Sequence, residues 1–154
     1  MEVLRAEEFR RGVILTRLKM NWTHFALAVL ASGIAASFTD WLFMGVLFHA
    51  KYLETPKIWR RPGGGKGETN AILGSTAIGL ISSAALIYLC IWAGALSLTG
   101  ALRLGVLAWL AAPLPLILTN TLWMKYHPLL AVSHSAGWLA RFLVTALIAA
   151  WLLH

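Results

Sequence analysis

Two ionisable side chains interrupt the long apolar runs of this sequence: Asp40, in the run from Trp22 to Phe48, and Arg141, in the run from His134 to Leu153. An isolated charge at mid-bilayer costs about 3 kcal/mol even on lenient insertion scales, so each needs a partner or a polar cavity. An acid and a guanidinium can neutralise one another, hold a polar ligand between them, or move protons. Their positions suit a pair. Asp40 lies eight residues before Phe48 and Arg141 seven residues after His134. If consecutive runs cross a membrane in alternating directions, a rise of about 1.5 Å per residue puts both roughly 10–12 Å inside the same face.

Helix periodicity places further polar groups beside them. Residues three or four apart share a face, which aligns Gly33, Ser37, Asp40 and Met44 in the first run and His134, Gly137, Trp138, Arg141 and Thr145 in the last. Thr119 and Asn120, near the same end of the third run, could add hydrogen bonds. The expected result is a polar cluster of Asp40, Arg141, His134, Asn120, Ser37 and Thr145, opening under the His49–Thr69 connection. A buried ion pair can also fix helix register with no ligand at all. That plain reading stands beside a solute or lipid site and, third, proton or ion movement.

Other chemistries find little footing. No nucleophile–base pair, H-E-x-x-H or carboxylate dyad is present, which disfavours an enzyme. A lipid-modifying enzyme would need acid–base groups in the cavity, such as His134 beside Asp40. GGGKGET, residues 63–69, lacks the spacing and the preceding strand of a phosphate-binding loop. The lone Cys90 closes no internal disulfide and reads as a small core residue, and no zinc-type Cys/His spacing occurs. Haem needs ligands aimed at one plane. His49 and His134 lie towards one face and His24 and His154 towards the other, where hydrogen-bonded interfacial roles are commoner, so no cofactor and no metal is expected.

The elements that must position these groups are legible from composition. Of 154 residues, 59% are hydrophobic and 12% charged, and the mean hydropathy is +0.73. A soluble domain carries about a quarter charged residues, so this chain lacks the polar surface of one. Four runs reach the about 20 apolar residues a membrane helix needs, at about 22–48, 70–96, 102–123 and 134–153. Strand-like alternation is absent. The expected fold is an all-α antiparallel bundle of four transmembrane helices over residues 22–154, preceded by a basic amphipathic segment, 1–21, lying on the membrane surface. In that segment Glu7 faces Arg10 and Arg11, and Val3, Leu4, Ile14 and Leu18 form an imperfect apolar face.

The net charge of +7 gathers in residues 1–21 and 51–66, flanking the apolar runs. There it suits anionic lipid headgroups, and no nucleic-acid motif accompanies it. Let face A carry the N-terminal segment and face B the 49–69 connection. Trp22, Trp92 and Trp151 then fall near face A and Trp123 and Trp138 near face B, as interfacial belts, while Trp41 and Trp109 lie deeper as packing residues. Each face carries six Lys or Arg, so the positive-inside rule does not orient the chain.

Small residues recur every fourth position at Ala28, Ser32 and Ala36 and at Ser75, Gly79 and Ser83, a spacing that lets helix backbones approach closely. Contacts inside the bundle explain these stripes better than a dimer seam does. Pro113 and Pro115 predict a kink in the third run, its freed carbonyls facing protein.

Several segments carry a resemblance: Asn21-Trp22, SFTDWLFMGVLFHAKY (37–52) with its D-W-x-x-x-G-x-L-F pattern, Pro56-x-x-Trp59-Arg60, and HSAGWLARFLVTALIAAWL (134–152). Together they resemble a family of small bacterial four-helix membrane proteins catalogued as a domain of unknown function. The resemblance implies the fold and transfers no catalytic residue.

The sequence thus describes a multi-pass protein of a bacterial inner membrane, a small binding or accessory subunit with a charge-paired cavity near face B. A small solute, proton or ion transporter is the alternative, and a lipid-acting enzyme the next. Its expected partners are membrane lipids and either a larger membrane complex or further copies of itself, with no nucleic acid.

Overall fold

The computed structural model describes residues 7, 20–54, 66–125 and 127–153, the side chains of 66–68 excepted. The expected surface helix rests on residues outside this set, as does the centre of the face-B connection, residues 55–65. All regular structure among the described residues is helical.

Helix α1 (Trp22–Asp40) starts where Asn21 caps it, the side-chain oxygen accepting from the amides of Thr23 and His24 at 3.1 and 3.2 Å. It runs directly into a π-helical segment, Trp41–Leu47, and a short helix α2 (His49–Leu53) follows. Helix α3 (Lys66–Trp92) ends sooner than hydropathy suggests. Gly94, at φ 63°, donates to the Ile91 carbonyl (3.1 Å) while Ala95 donates to that of Cys90 (2.8 Å). This paired closure needs a left-handed residue, which glycine supplies without steric cost. Ser97 then caps α4 (Leu98–Ala111) by accepting from the Gly100 amide.

The chain breaks at Ala112 and resumes as α5 (Pro113–Trp123), the disruption that two prolines impose. Ala111 and Ala112, at the break, are exposed on the chain. Helix α6 (Pro128–Leu153) starts earlier than its apolar run implies, because Pro128 opens the helix instead of interrupting it. The His127 ring nitrogen caps it, accepting from Leu129 N at 3.1 Å.

Four helices are therefore long and apolar enough to cross a membrane: Trp22–Leu47, Thr69–Trp92, Leu98–Trp123 and Pro128–Leu153. The chain is an all-α multi-pass membrane protein. The fourth span is the hub and packs against the other three. Its inward face is small (Ala131, Ser133, Gly137, Thr145, Ala146, Ala149), so neighbouring backbones come close, while large aliphatic side chains point outward from all spans. The third span packs on the fourth and touches the second; no substantial contact joins it to the first.

Ala28, Ser32, Ala36, Gly79 and Ser83 are buried, placing both small-residue stripes inside the bundle except for Ser75, which is exposed. Cys90 is fully buried beside Ala101, Ala146 and Ala150. Trp109 packs as expected, its Nε1 donating to the Ser135 carbonyl at 2.9 Å. Trp41 does not: it is 63% exposed, one position off the inward stripe that ends at Asp40.

Candidate functional site

Asp40 and Arg141 meet across the first and fourth spans, Nη2 of Arg141 donating to Oδ2 of Asp40. The arginine side chain is 7% exposed and the aspartate 28%, so the cation is the buried member. Three features make room for the guanidinium. Gly79 on the second span abuts it so closely that a Cβ there would overlap Nη1 and lie 3.2 Å from Cζ. The Trp138 ring, one turn earlier on α6, faces Cζ with its centroid 5.0 Å away, a cation–π contact that replaces part of the lost hydration. Phe142 in turn braces Trp138 edge-on at 5.5 Å.

The pair forms one end of a cavity of about 460 Å³ between spans one, two and four. Phe43 and Met44 contribute from the π-helical segment, Ala71, Gly74, Ser75 and Ile78 from α3, and Ser133, His134, Gly137 and Trp138 from α6. The walls are mostly apolar, and the polar groups gather around the ion pair.

Towards face B the site is tied to the short helix α2. The Tyr52 hydroxyl donates to Ser133 Oγ (3.3 Å), which donates to the Phe43 carbonyl (3.4 Å). That carbonyl also accepts from Phe48 N at 3.1 Å, the five-residue bond of the π-turn. Tyr52 packs edge-on against His134, ring centroids 5.8 Å apart. Its burial holds the phenol above its ordinary pKa of 10.0, against the opposing effect of the Ser133 hydrogen bond.

Towards face A the polar groups run out within two turns. Thr145, one turn beyond Arg141, lies 3.4 Å from Ser83 by hydroxyl oxygens, and Ser32 Oγ is buried without a hydrogen-bond partner. One turn further Ala28, Ile87 and Ala149, all fully buried, close the interface with Phe25, Val29 and Ile91 packed around them.

The structure thus brings Asp40, Arg141 and His134 to one cavity and sets Thr145 just beneath it. It does not bring Ser37 or Asn120. Ser37 is exposed and donates back to the Gly33 carbonyl at 2.9 Å, because the inward stripe of α1 is Ala28–Ser32–Ala36–Asp40. Asn120 belongs to the third span, which lines none of the cavity, since the fourth span stands between it and the first.

A sequence profile described as "Protein of unknown function (DUF1761)" matches residues 27–150. The chain belongs to the DUF1761 family. No curated protein and no solved structure matches it. The DUF1761 match covers Asp40, His134 and Arg141 together with all three cavity-lining segments.

Sequence reasoning missed several parts of this DUF1761 site. Helix periodicity puts Trp138 on the stripe of Arg141 but gives no sign of its cation–π contact with the guanidinium. Gly79 was read as helix packing alone, and Tyr52, Ser133 and Phe43 carried no signal, because nothing in the residue types announces a π-helical turn. Among the described residues no three His, Cys, Asp or Glu side chains converge as metal ligands would. What the arrangement offers chemically is a buried guanidinium, a partly exposed carboxylate paired with it, and a cleft with mostly apolar walls.

Proposed function

We propose that this protein is a small membrane-embedded binding protein, alone or as an accessory subunit in a bacterial inner membrane, and that it takes an amphiphile into the cavity. The polar head meets Arg141, Asp40 and His134, and the apolar part lies along Met44, Ile78 and Trp138. The observation that carries this reading is a chamber of about 460 Å³ with apolar walls ending on a buried guanidinium. Among the described residues Asp40 is the hydrogen-bond acceptor on that group, which has five donors to offer, while Trp138 covers its face. Pockets of about 300–1,000 Å³ with few, convergent polar groups are the usual form of small-molecule sites.

The closed end favours binding over transport. Ala28, Ile87 and Ala149 leave no polar route to face A, so a transporter would have to part three helices there. The hydroxyls of Ser32, Ser83 and Thr145 are the one feature that extends the polar track towards that side, and they keep proton or ion movement as the second reading. Flux lost in Asp40→Asn with folding retained would favour that alternative.

The test is photo-crosslinking of the purified full-length protein with a photoactivatable single-chain amphiphile, mapped by peptide mass. Labelling is expected to concentrate on the cavity segments 40–44, 71–78 and 133–141. It should fall in Gly74→Trp, since a side chain at Gly74 enters open space on the cavity wall. Labels spread evenly over the outer helix faces, indifferent to that substitution, would overturn the reading.

A further inference from the structure

We infer that the cavity binds an amphiphile with a monoanionic head together with one proton, the anion taking Asp40's place on Arg141 while the proton neutralises Asp40. This rests on the binding reading above and specifies its ligand.

The argument starts from which member of the pair can move. Arg141 is fixed: Gly79 abuts one edge of its guanidinium and Trp138 covers its face. Asp40 is the more exposed member and sits where α1 gives way to the looser π-helical turn. An arriving anion therefore finds a stationary, permanently charged cation and a displaceable carboxylate. The planar guanidinium can accept carboxylate, sulfonate or phosphate oxygens through parallel hydrogen bonds.

Charge then decides the rest. The empty site is neutral, one guanidinium against one carboxylate. With a bound anion and an ionised Asp40 it would hold two negative charges against one positive in a poorly solvated chamber, where like charges raise each other's proton affinity. The groups facing Asp40 offer little other compensation. Its own helix and the π-segment contribute Phe43 and Met44, α3 contributes Ser75 and Gly79, and α6 contributes Arg141 and His134. The cation on α2, Lys51, is held by Glu54 at 2.8 Å. Among the described residues lining the cavity, His134 is the one competing proton acceptor. Asp40 is the site assigned here because it loses its guanidinium partner when the anion binds.

The probe is decanesulfonate, which stays ionised throughout, added to the full-length protein in lipid nanodiscs. Affinity is expected to rise about tenfold for each pH unit lowered while Asp40 is ionised in the empty site. In weakly buffered medium about one proton should be taken up per probe bound. Asp40→Asn should bind tightly with a flat pH profile, and Arg141→Gln should weaken binding about 10- to 100-fold, as loss of charge-assisted hydrogen bonds implies. Methanesulfonate at equal concentration should not compete; if it does, the site takes free anions and the amphiphile assignment falls. Equal binding of uncharged decanol, or a pH dependence kept in Asp40→Asn and lost in His134→Gln, would overturn the inference. Cavity binding without proton uptake would overturn it too and leave the binding reading standing. Absence of any cavity binding would overturn both.

Discussion

The same three helices meet twice, and the two meetings have opposite chemistry. Near face A, Ala28, Ile87 and Ala149 fill the space between spans one, two and four with hydrocarbon. Two to three turns away the corresponding positions hold Asp40, Gly79 and Arg141. Small residues serve both ends, but differently. At the apolar end two alanines let a single isoleucine close the gap. At the polar end the missing side chain of Gly79 provides the volume that a guanidinium occupies. One end is built for closeness and the other for room, and the cavity lies at the second.

Breaking the pair should have the largest effect. Arg141→Leu strips a largely buried cation from Asp40 and should destabilise the protein by about 3 kcal/mol, the low end for buried pairs because Asp40 keeps some exposure. The double variant Asp40→Leu/Arg141→Leu should recover most of that loss, since the stranded charge rather than the missing attraction is what costs. Thermal unfolding of the three proteins in one detergent measures this. A double variant no more stable than the single one would mean that the polar end is held together by the ion pair itself.

Filling the room is the next test. Gly79→Ala drives a methyl group into a guanidinium clamped by Trp138 and should cost about 1–3 kcal/mol. Gly74→Ala, on the same helix with nothing within 4 Å of the added Cβ, should be neutral or slightly stabilising because it restricts the unfolded chain. Equal effects of the two in thermal unfolding would show that Gly79 matters as a helix glycine rather than as space.

This contrast also explains what could be read from the residues. The depths of Asp40 and Arg141 are legible because the helix rise is constant and both are counted from the same face. The family resemblance, carried by segments around both, agrees with the profile match. Ser37 sits one position off the inward stripe of α1, whereas Asn120 sits on a span that does not reach the cavity. Hydropathy says that a helix crosses the membrane but not which neighbour it chooses, and the third span packs on the far side of the fourth. Helix ends went astray where one residue outweighed the apolar run: Gly94 stopping α3, Ser97 starting α4, Pro128 opening α6. The π-helical turn has no sequence signal of its own, and the contact at its Phe43 carbonyl, from Ser133, comes from another span.

That contact links the cavity to α2 and supports the smallest prediction. Tyr52 is buried as a neutral phenol, with its pKa raised above the 10.0 expected in an unfolded chain. A group whose folded pKa is raised contributes stability that is whole below the unfolded value and lost as pH climbs through the folded one. Stability should therefore be insensitive to Tyr52 up to about pH 10 and then decline as the buried phenol is forced to ionise. Tyr52→Phe removes both the titration and the hydrogen bond to Ser133, so it should cost about 1 kcal/mol at neutral pH and flatten the alkaline limb. Thermal unfolding followed from neutral to alkaline pH, alongside the phenolate absorbance, separates the two effects. Parallel alkaline limbs for wild type and Tyr52→Phe would place the alkaline weakness elsewhere, and the bond from α2 to Ser133 would then brace the cavity without making it sensitive to pH.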